Sequence, residues 1–184
     1  MAFVPKPQCE LGHGSHHLFK QSNEDACGIA VLAMVARLKL GVELDEAEAF
    51  KQAGGKALTA PDLFNQLVAV GIPGVTRRMG EQSTLKGCVR AATPSTPVIA
   101  AVSWVGKKVG HFILIEGRTP GSLGRSSTYC ICDPHYGLVQ TSLSKGEKPA
   151  ESPVSGTKFT QKGLRYSPKS DAIGIISQLI TFSW

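Results

Sequence analysis

Hydrophobic positions in the first half of the chain follow a helical pattern. The stretch 26–39 is apolar on nearly all sides and rich in Ala, so it predicts a buried helix of about 12–14 residues rather than a strand. Gly41 stands where this helix is expected to end. Ser22, Asn23 and Asp25 offer side-chain oxygens for its N-cap. The pattern therefore places one central, buried helix in this half.

Two shorter helices are predicted after the buried one. The stretch 44–52 has acidic residues in its first turn, where negative charge opposes the positive end of a helix favourably. The stretch 59–71 has Thr59 as a candidate cap, Pro61 in its first turn and Gly71 at its end. Its apolar positions share one helical face and are Leu63, Phe64, Leu67 and Val70.

The second half changes to patterns that are typical of strands. Three strands are predicted over 97–105, 111–116 and 128–132, and a hairpin loop joins the first two. The stretch 141–171 is rich in Ser, Lys and Gly without clear periodicity, so it predicts a long loop. The apolar stretch 172–184 fits either a strand or a short helix. Helices followed by a mostly antiparallel sheet indicate an α+β fold.

Length and composition favour one folded domain. The 184 residues suit a single domain over 1–184, with an irregular arm over 1–20. With 42% hydrophobic and 18% charged residues, the chain is neither disordered nor a coiled coil. Its apolar runs are shorter than the ~18–20 residues of a membrane-spanning helix. The N-terminus lacks the apolar core of a secretory signal, so we expect a cytoplasmic location, or export without a signal peptide.

The charge and the cysteine pattern limit the partners, the compartment and the metal sites that the sequence predicts. The net charge is +6, but the basic residues are scattered and lack interleaved aromatic residues, so nucleic-acid binding is not predicted. Five cysteines at irregular spacings argue against a disulfide scaffold and favour a reducing compartment. Cys9 and three nearby histidines, His13, His16 and His17, lack a second paired set of ligands. We therefore predict neither a metal nor a cofactor.

Cys27 stands at the predicted start of the buried helix. The positive helix end and the unpaired N–H groups of the first turn favour a thiolate there, which is the reactive form of cysteine. A cysteine nucleophile needs a base, and His111 at the start of a strand suits that role. Asp133, at the end of the following strand, is placed to orient the imidazole ring. The residues themselves thus suggest Cys, His and Asp acting together in chain order.

Further residues are candidates for the same site. Gln21 precedes Cys27 by six residues and is a candidate side-chain donor to an oxyanion, with the Cys27 N–H as the second donor. Gly28 and Gly110 leave room beside the sulfur and the ring, so we expect both to border a substrate. Trp104 is expected to line the cleft or to shield the imidazole–carboxylate pair, and simple core burial explains it equally well.

Three segments resemble the active-site segments of papain-like cysteine peptidases. They are QSNEDACGIA from Gln21, GHF from Gly110 and DPHYG from Asp133. Residues 18–140 are similar in order and character to the bacterial C39-like branch. That branch usually has Asp directly before the cysteine, where this chain has Ala26.

The resemblance implies a papain-like fold and a metal-free thiol mechanism. The implied roles are oxyanion donor for Gln21, nucleophile for Cys27, base for His111 and orienting carboxylate for Asp133. It further implies a thiol hydrolase that cleaves a peptide or amide bond of a peptide or protein through an acyl-thioester. The cleavage of double-glycine leaders by exporter-fused members is not expected here, because the chain carries no transporter.

Two other functions stay open. The segment around Cys27 also resembles the start of phytochelatin synthases, and glutamine deamidases and transglutaminase-like toxins share the triad. A deamidase or acyl transferase, such as a bacterial effector, is therefore an alternative to a peptidase. A non-catalytic binding module that kept the fold is a third interpretation. The sequence indicates neither the substrate nor the oligomeric state.

Overall fold

The structure, a computed structural model, describes residues 18–107, 109–121, 126–152 and 155–183. Within these ranges the helices are α1 (Cys27–Leu40), α2 (Glu46–Gln52), α3 (Ala60–Ala69) and α4 (Gln82–Arg90). The strands are β1 (Val75–Met79), β2 (Val98–Trp104), β3 (Gly110–Thr119), β4 (Thr128–Asp133), β5 (Gly137–Ser142), β6 (Ser144–Glu151), β7 (Lys158–Lys169) and β8 (Ala172–Phe182). In the described ranges, no helix combines the length and apolarity needed to cross a membrane.

Helix α1 is buried along most of its length. Its first ten residues, from Cys27 to Ala36, are all buried, because the run is apolar on every side of the helix. Gly41 ends the helix in the left-handed conformation, with a φ of 65° and its N–H bonded to the Arg37 carbonyl. The helix therefore stops where the sequence predicts.

The N-terminus of α1 differs from the expectation. The N-cap position belongs to Ala26, whose side chain makes no capping hydrogen bond. The Asn23 side chain accepts a hydrogen bond from the Asp25 N–H at 3.0 Å instead, which turns the chain before the helix starts. The prediction of a cap at Ser22, Asn23 or Asp25 is therefore wrong. The first turn of α1 has no side-chain cap, so its N–H groups stay open to another acceptor.

Helices α2 and α3 both have side-chain N-caps, and the cap of α3 is the Thr59 that its sequence predicts. Asp45 caps α2 by accepting a backbone hydrogen bond from its first turn. Thr59 and Asp62 form a reciprocal capping box at the start of α3. Leu63 and Leu67 are fully buried, and the other two positions of the predicted stripe are partly buried. Both helices pack on α1, so the three predicted helices form one layer.

The described strands form one antiparallel sheet. Its order is β5-β4-β3-β2-β8-β7-β6, and β1 also pairs with β8. The strands β2 to β5 follow one another as hairpins, whereas β8 returns to pair with β2. A β-bulge lies between Ala101 and Val102, where β2 pairs with β8. The stretch 172–184, which the sequence leaves undecided, therefore contains a strand in the middle of the sheet.

The two faces of the sheet belong to two apolar clusters. One face packs against α1, α2 and α3 and includes Ile99 and Phe112. The other face includes Ala100 and Ile113, together with Leu85 from α4. Successive residues of a strand point to opposite faces, so both faces of β2 and β3 are apolar. This burial on both sides explains why the two strands read as continuous hydrophobic runs.

The sheet is curled, which brings distant strands together. In the sheet order, β7 and β4 are separated by β3, β2 and β8. Nevertheless β7 contacts β5, and the hydroxyl of Tyr166 on β7 donates to Asp133 at the end of β4. The second apolar cluster fills the inside of the curl. The curl therefore positions the ends of β3, β4 and β7 around one point.

The long loop predicted over 141–171 is wrong. Strand β6 pairs with β7 over eight residues, from Ser144 opposite Arg165 to Glu151 opposite Lys158. The strand β6 lies at the edge of the sheet and has only exposed and half-buried positions, so it lacks the apolar alternation that marks a strand in a sequence. Residues 75–90 hold β1 and α4, for which the sequence provided no prediction.

Candidate active site

Cys27 occupies the first position of α1. It is 5% exposed, and its thiol is free. It lines a cleft together with His111, and its side chain lies close enough to the ring of that histidine to raise the pKa of the imidazole. The uncapped helix terminus directs N–H groups and the positive end of the helix dipole toward this position. Both effects favour a negative charge on the sulfur.

His111 and Asp133 form a buried pair. The Nε2 atom of His111 lies 2.9 Å from Oδ1 of Asp133, and the two residues are 6% and 0% exposed. An ionised carboxylate can only accept, so Nε2–H is the donor and Nδ1 is the ring nitrogen left for Cys27. The fold therefore brings the predicted ring and carboxylate into direct contact and places the Cys27 side chain on the same cleft as the ring, from three separate elements.

The Asp133 carboxylate is held by donors on both oxygens. Besides His111, its Oδ1 accepts from the backbone N–H groups of His135 at 2.8 Å and Tyr136 at 2.9 Å. Its Oδ2 accepts from the hydroxyl of Tyr166 at 2.7 Å. A buried carboxylate without such donors would be costly. The turn between β4 and β5, and the strand β7, thus keep this group in one orientation.

Protonation in the site follows from these contacts. Burial alone would lower the pKa of His111, but hydrogen bonds to Asp133 and Cys27, and the negative charges of both, raise it to about 9. Burial would raise the pKa of Asp133, but the hydrogen bond and charge of His111, with donors from Tyr136 and Tyr166, hold it below its ordinary value. The geometry therefore favours an imidazolium paired with the Asp133 carboxylate at neutral pH.

Trp104 covers the imidazole–carboxylate pair and also lines the cleft. Its ring stacks on His111 with a centroid distance of 5.7 Å and an interplanar angle of 26°. It also contacts the rings of Tyr136 and Tyr166, each at 6.1 Å. Gly174 lies opposite Trp104 on β8, and a side chain there would overlap it and the neighbouring valine. A glycine at this position therefore makes room for the indole.

The cleft beside the sulfur has a volume of about 600 Å³, which is within the usual range of ligand sites. One wall comes from the loop before α1 and from residues 57–60 ahead of α3. The opposite wall comes from residues 101–104 and 109–112 of the β2–β3 hairpin, and the turn after β4 adds His135 and Tyr136. The space suits an extended chain of a few residues that passes over Cys27.

Gln21 lies on the cleft wall, but its amide is turned into its own loop. The Nε2 atom donates to the carbonyls of Asn23 at 2.7 Å and Glu24 at 3.2 Å, which engages both of its N–H groups. Its Oε1 is buried with no partner among the described residues. The loop is held by the Ser22 N–H, which donates to Glu46 at 3.0 Å. In this conformation Gln21 offers no free N–H to an oxyanion.

The two glycines behave differently from each other. Gly110 lies exposed on the cleft rim, where a Cβ would make only ordinary contacts. Gly28 is buried, and a Cβ there would lie 3.1 Å from Cβ of Leu58. The space beside Gly28 is therefore filled by Leu58 rather than left for substrate. Gly28 is not among the residues that line the cleft, and the contact with Leu58 shows that this glycine lets the 57–60 segment approach α1. Its expected role in substrate binding stays a prediction.

Tyr166 is the site residue that the sequence reasoning missed. It lies in the stretch expected to be a loop, and it reaches the site only because the sheet curls. A weak signal was present, since Leu164 and Tyr166 alternate with polar residues as buried strand positions do.

The described residues contain no group of three or more His, Cys, Asp or Glu side chains that could hold a metal ion. The candidate cluster of Cys9, His13, His16 and His17 lies outside the described residues. Cys27 and Cys88 have free thiols, whereas Cys130 is disulfide-bonded. The bond at Cys130 differs from the preference for a reducing compartment that the cysteine spacing suggested.

Comparison with known proteins identifies the fold. No family model and no curated protein sequence matches the chain. Among solved structures, it is similar to the peptidase domain of Streptococcus ComA, which is described as a bi-functional ABC transporter involved in a quorum sensing pathway. The match has a TM-score of 0.54 and 20% sequence identity, and it covers 70% of this chain and 87% of the ComA domain. The chain therefore shares the fold of a peptidase domain of the C39 type.

Proposed function

We propose that the protein is a papain-like thiol hydrolase that cleaves a peptide or amide bond through a Cys-His-Asp triad. The observation that supports this most is the row formed by Cys27, His111 and Asp133 along a cleft. The three groups come from α1, β3 and β4, and each is fixed on a regular element. A peptide or protein that enters the cleft in an extended conformation is the proposed substrate.

The contacts suggest how each residue acts. The Cys27 thiolate attacks the carbonyl carbon and forms a C–S bond, while the carbonyl oxygen becomes an oxyanion near the open N–H groups of α1. His111, held as an imidazolium by Asp133, gives its proton to the leaving amine. A water molecule then attacks the thioester, His111 takes its proton, and the C–S bond breaks to release the acid and restore the thiolate–imidazolium pair. Trp104 covers the ring and keeps bulk water from the imidazole–carboxylate pair.

The reactivity of Cys27 toward an alkylating reagent tests this proposal without a known substrate. A thiolate paired with imidazolium should react at pH 6–7 about tenfold or more faster than an ordinary cysteine, which is mostly protonated there. Iodoacetamide labelling followed by peptide mapping measures each thiol separately. Cys88, which is free and half-buried on α4, is the internal reference.

Two variants complete this experiment. Cys27→Ala should abolish both the fast labelling and hydrolysis of peptide libraries, whereas Cys88→Ala should leave both unchanged. If Cys27 reacts no faster than Cys88 at neutral pH, the proposed nucleophile is wrong and a non-catalytic module becomes the better interpretation. Intact mass of treated proteins separates the reactions, because proteolysis yields fragments, deamidation yields an acid without cleavage, and acyl transfer yields an adduct.

The role of Gln21 requires a separate test. We propose that substrate binding frees its Nε2 from the carbonyls of Asn23 and Glu24, so that it donates to the oxyanion beside the Cys27 N–H. Loss of an oxyanion donor typically lowers kcat by about 10²–10³. Gln21→Ala should therefore lower kcat by this factor and leave the rate of Cys27 alkylation nearly unchanged, since alkylation forms no oxyanion. An unchanged kcat would assign the donor role to the backbone alone.

A further inference from the structure

Tyr166 is a fully buried residue of β7 that touches the site from behind. Its hydroxyl donates to Oδ2 of Asp133 at 2.7 Å, and it is 0% exposed. It is not among the residues that line the cleft. Contact with substrate is therefore excluded by position, and any influence on the reaction has to pass through Asp133.

The two oxygens of Asp133 are supported unequally. The Oδ1 atom has three donors, namely the ring of His111 and the backbone N–H groups of His135 and Tyr136. In the described part of the chain, Oδ2 has the hydroxyl of Tyr166 as its hydrogen-bond donor. Without it, Oδ2 would be a buried charged oxygen that lacks a partner. Rotation of the carboxyl group, or its protonation, would then become easier.

The fold holds Tyr166 in this place through a row of residues across three strands. Tyr166 pairs with Gly174 on β8, and Gly174 pairs with Trp104 on β2. The ring of Trp104 stacks on the ring of His111 and also contacts the ring of Tyr166. The tyrosine is therefore packed against the same indole that covers the imidazole, and it has little freedom to move away from Asp133.

We infer that Tyr166 is a positioning residue that keeps the Asp133 carboxylate ionised and in plane with the ring of His111. This inference rests on the proposed function, because it gives Tyr166 a role in the same triad. The hydroxyl stays neutral and acts only as a donor. Its contribution is to extend the pH range over which the imidazolium has a charged partner. The ionisable groups around Asp133 in the described residues are His111, Tyr136 and Tyr166, with Cys27 and His135 next to the histidine ring.

The experiment follows the His111 ring N–H proton by NMR during acidification. This proton lies in the hydrogen bond to Asp133, so its low-field resonance moves upfield when the carboxylate becomes protonated. In Tyr166→Phe, which keeps the ring and removes the donor, that transition should occur about one pH unit or more higher than in the wild type. Tyr129→Phe removes a hydroxyl from another buried tyrosine and should leave the transition unchanged.

A second background separates positioning from a merely structural role. In the wild-type background, Tyr166→Phe should move the low-pH limit of Cys27 alkylation to higher pH. In Asp133→Asn no carboxylate remains, so adding Tyr166→Phe should not change the pH dependence of alkylation further. A purely structural defect would lower the alkylation rate equally in both backgrounds, and this result would overturn the inference. An unshifted NMR transition in Tyr166→Phe would overturn it as well. If Cys27 of the wild type is not fast-reacting, the proposed function fails instead, and the NMR transition still decides the contact between Tyr166 and Asp133.

Discussion

The pH dependence of stability should report the charge state of the buried histidine. The pKa of His111 is raised from 6.5 to about 9 in the folded protein, so the folded state binds a proton more tightly than the unfolded state. The stabilisation is therefore fully present below about pH 6.5, declines as the pH rises, and is lost above about 9. At about 1.4 kcal/mol for each pH unit, this interval corresponds to roughly 3 kcal/mol of the free energy of unfolding.

Asp133→Asn is the perturbation that tests this reasoning. The hydrogen bond and charge of Asp133 raise the pKa of His111 against the effect of burial, so their removal should return it toward its ordinary value. Because a thiolate at Cys27 would release a proton on folding and offset the histidine, the comparison is made in Cys27→Ala, which cannot titrate at this position. Urea unfolding of Cys27→Ala between pH 6 and pH 10 should show a fall of up to roughly 3 kcal/mol, and Cys27→Ala with Asp133→Asn should lose more than half of that fall. Lys39, whose burial lowers its pKa to about 8, titrates in both proteins and cancels in the difference.

A surface carboxylate provides the matched control. Asp171 is 71% exposed in its side chain and pairs with Lys169 at 3.4 Å, so Asp171→Asn removes the same charge without changing the site. In the Cys27→Ala background, its unfolding profile should follow the parent across the whole range. Equal slopes with and without Asp133→Asn in that background, or a stability of Cys27→Ala that rises between pH 6.5 and 9, would refute the assignment of an imidazolium to the folded state.

Two further substitutions test the scaffold of the site by urea unfolding. Gly174→Ala should destabilise the protein by about 1–3 kcal/mol and slow Cys27 alkylation, because the added Cβ meets Trp104 at 3.0 Å. Gly87→Ala is the control, since a Cβ there meets nothing within 4 Å on α4. It should leave the free energy of unfolding unchanged or raise it by up to about 1 kcal/mol. Equal effects of the two would contradict the packing argument. Thr59→Ala should lower the free energy of unfolding by about 1 kcal/mol, because it removes the α3 capping box. Thr59→Ser keeps a hydroxyl and should retain the capping box. If serine and alanine destabilise the protein equally, the cap is not responsible.

Part of the architecture follows from local pattern alone. The apolar run of α1 and its end at Gly41, the N-cap of α3 at Thr59 and the apolar runs of β2, β3 and β4 are all marked in the sequence. Such features depend on neighbours a few residues apart, so they are readable in one sequence. The same holds for the presence of Cys27, His111 and Asp133 at the ends of predicted elements. Local pattern therefore determined which groups are available for chemistry.

Features that depend on contacts between distant strands could not be read in this way. Strand β6 gains its backbone hydrogen bonds from β7 rather than from an apolar alternation of its own. Gly28 was expected to face substrate, but only the packed position of Leu58 shows why a side chain is absent. The inward turn of the Gln21 amide likewise depends on the carbonyls of its own loop.

The amino-acid sequence by itself determined the helices α1 to α3, the strands β2 to β4 and the three candidate side chains of the site, because helix and strand periodicity and capping are local properties. Only the tertiary structure decided that Tyr166 supports Asp133, because their contact requires the sheet to curl through three intervening strands. The same curl buries His111, so that its ring contacts charged side chains instead of water. Burial and charge pairing arise from the whole fold, and these two effects set the protonation of the site.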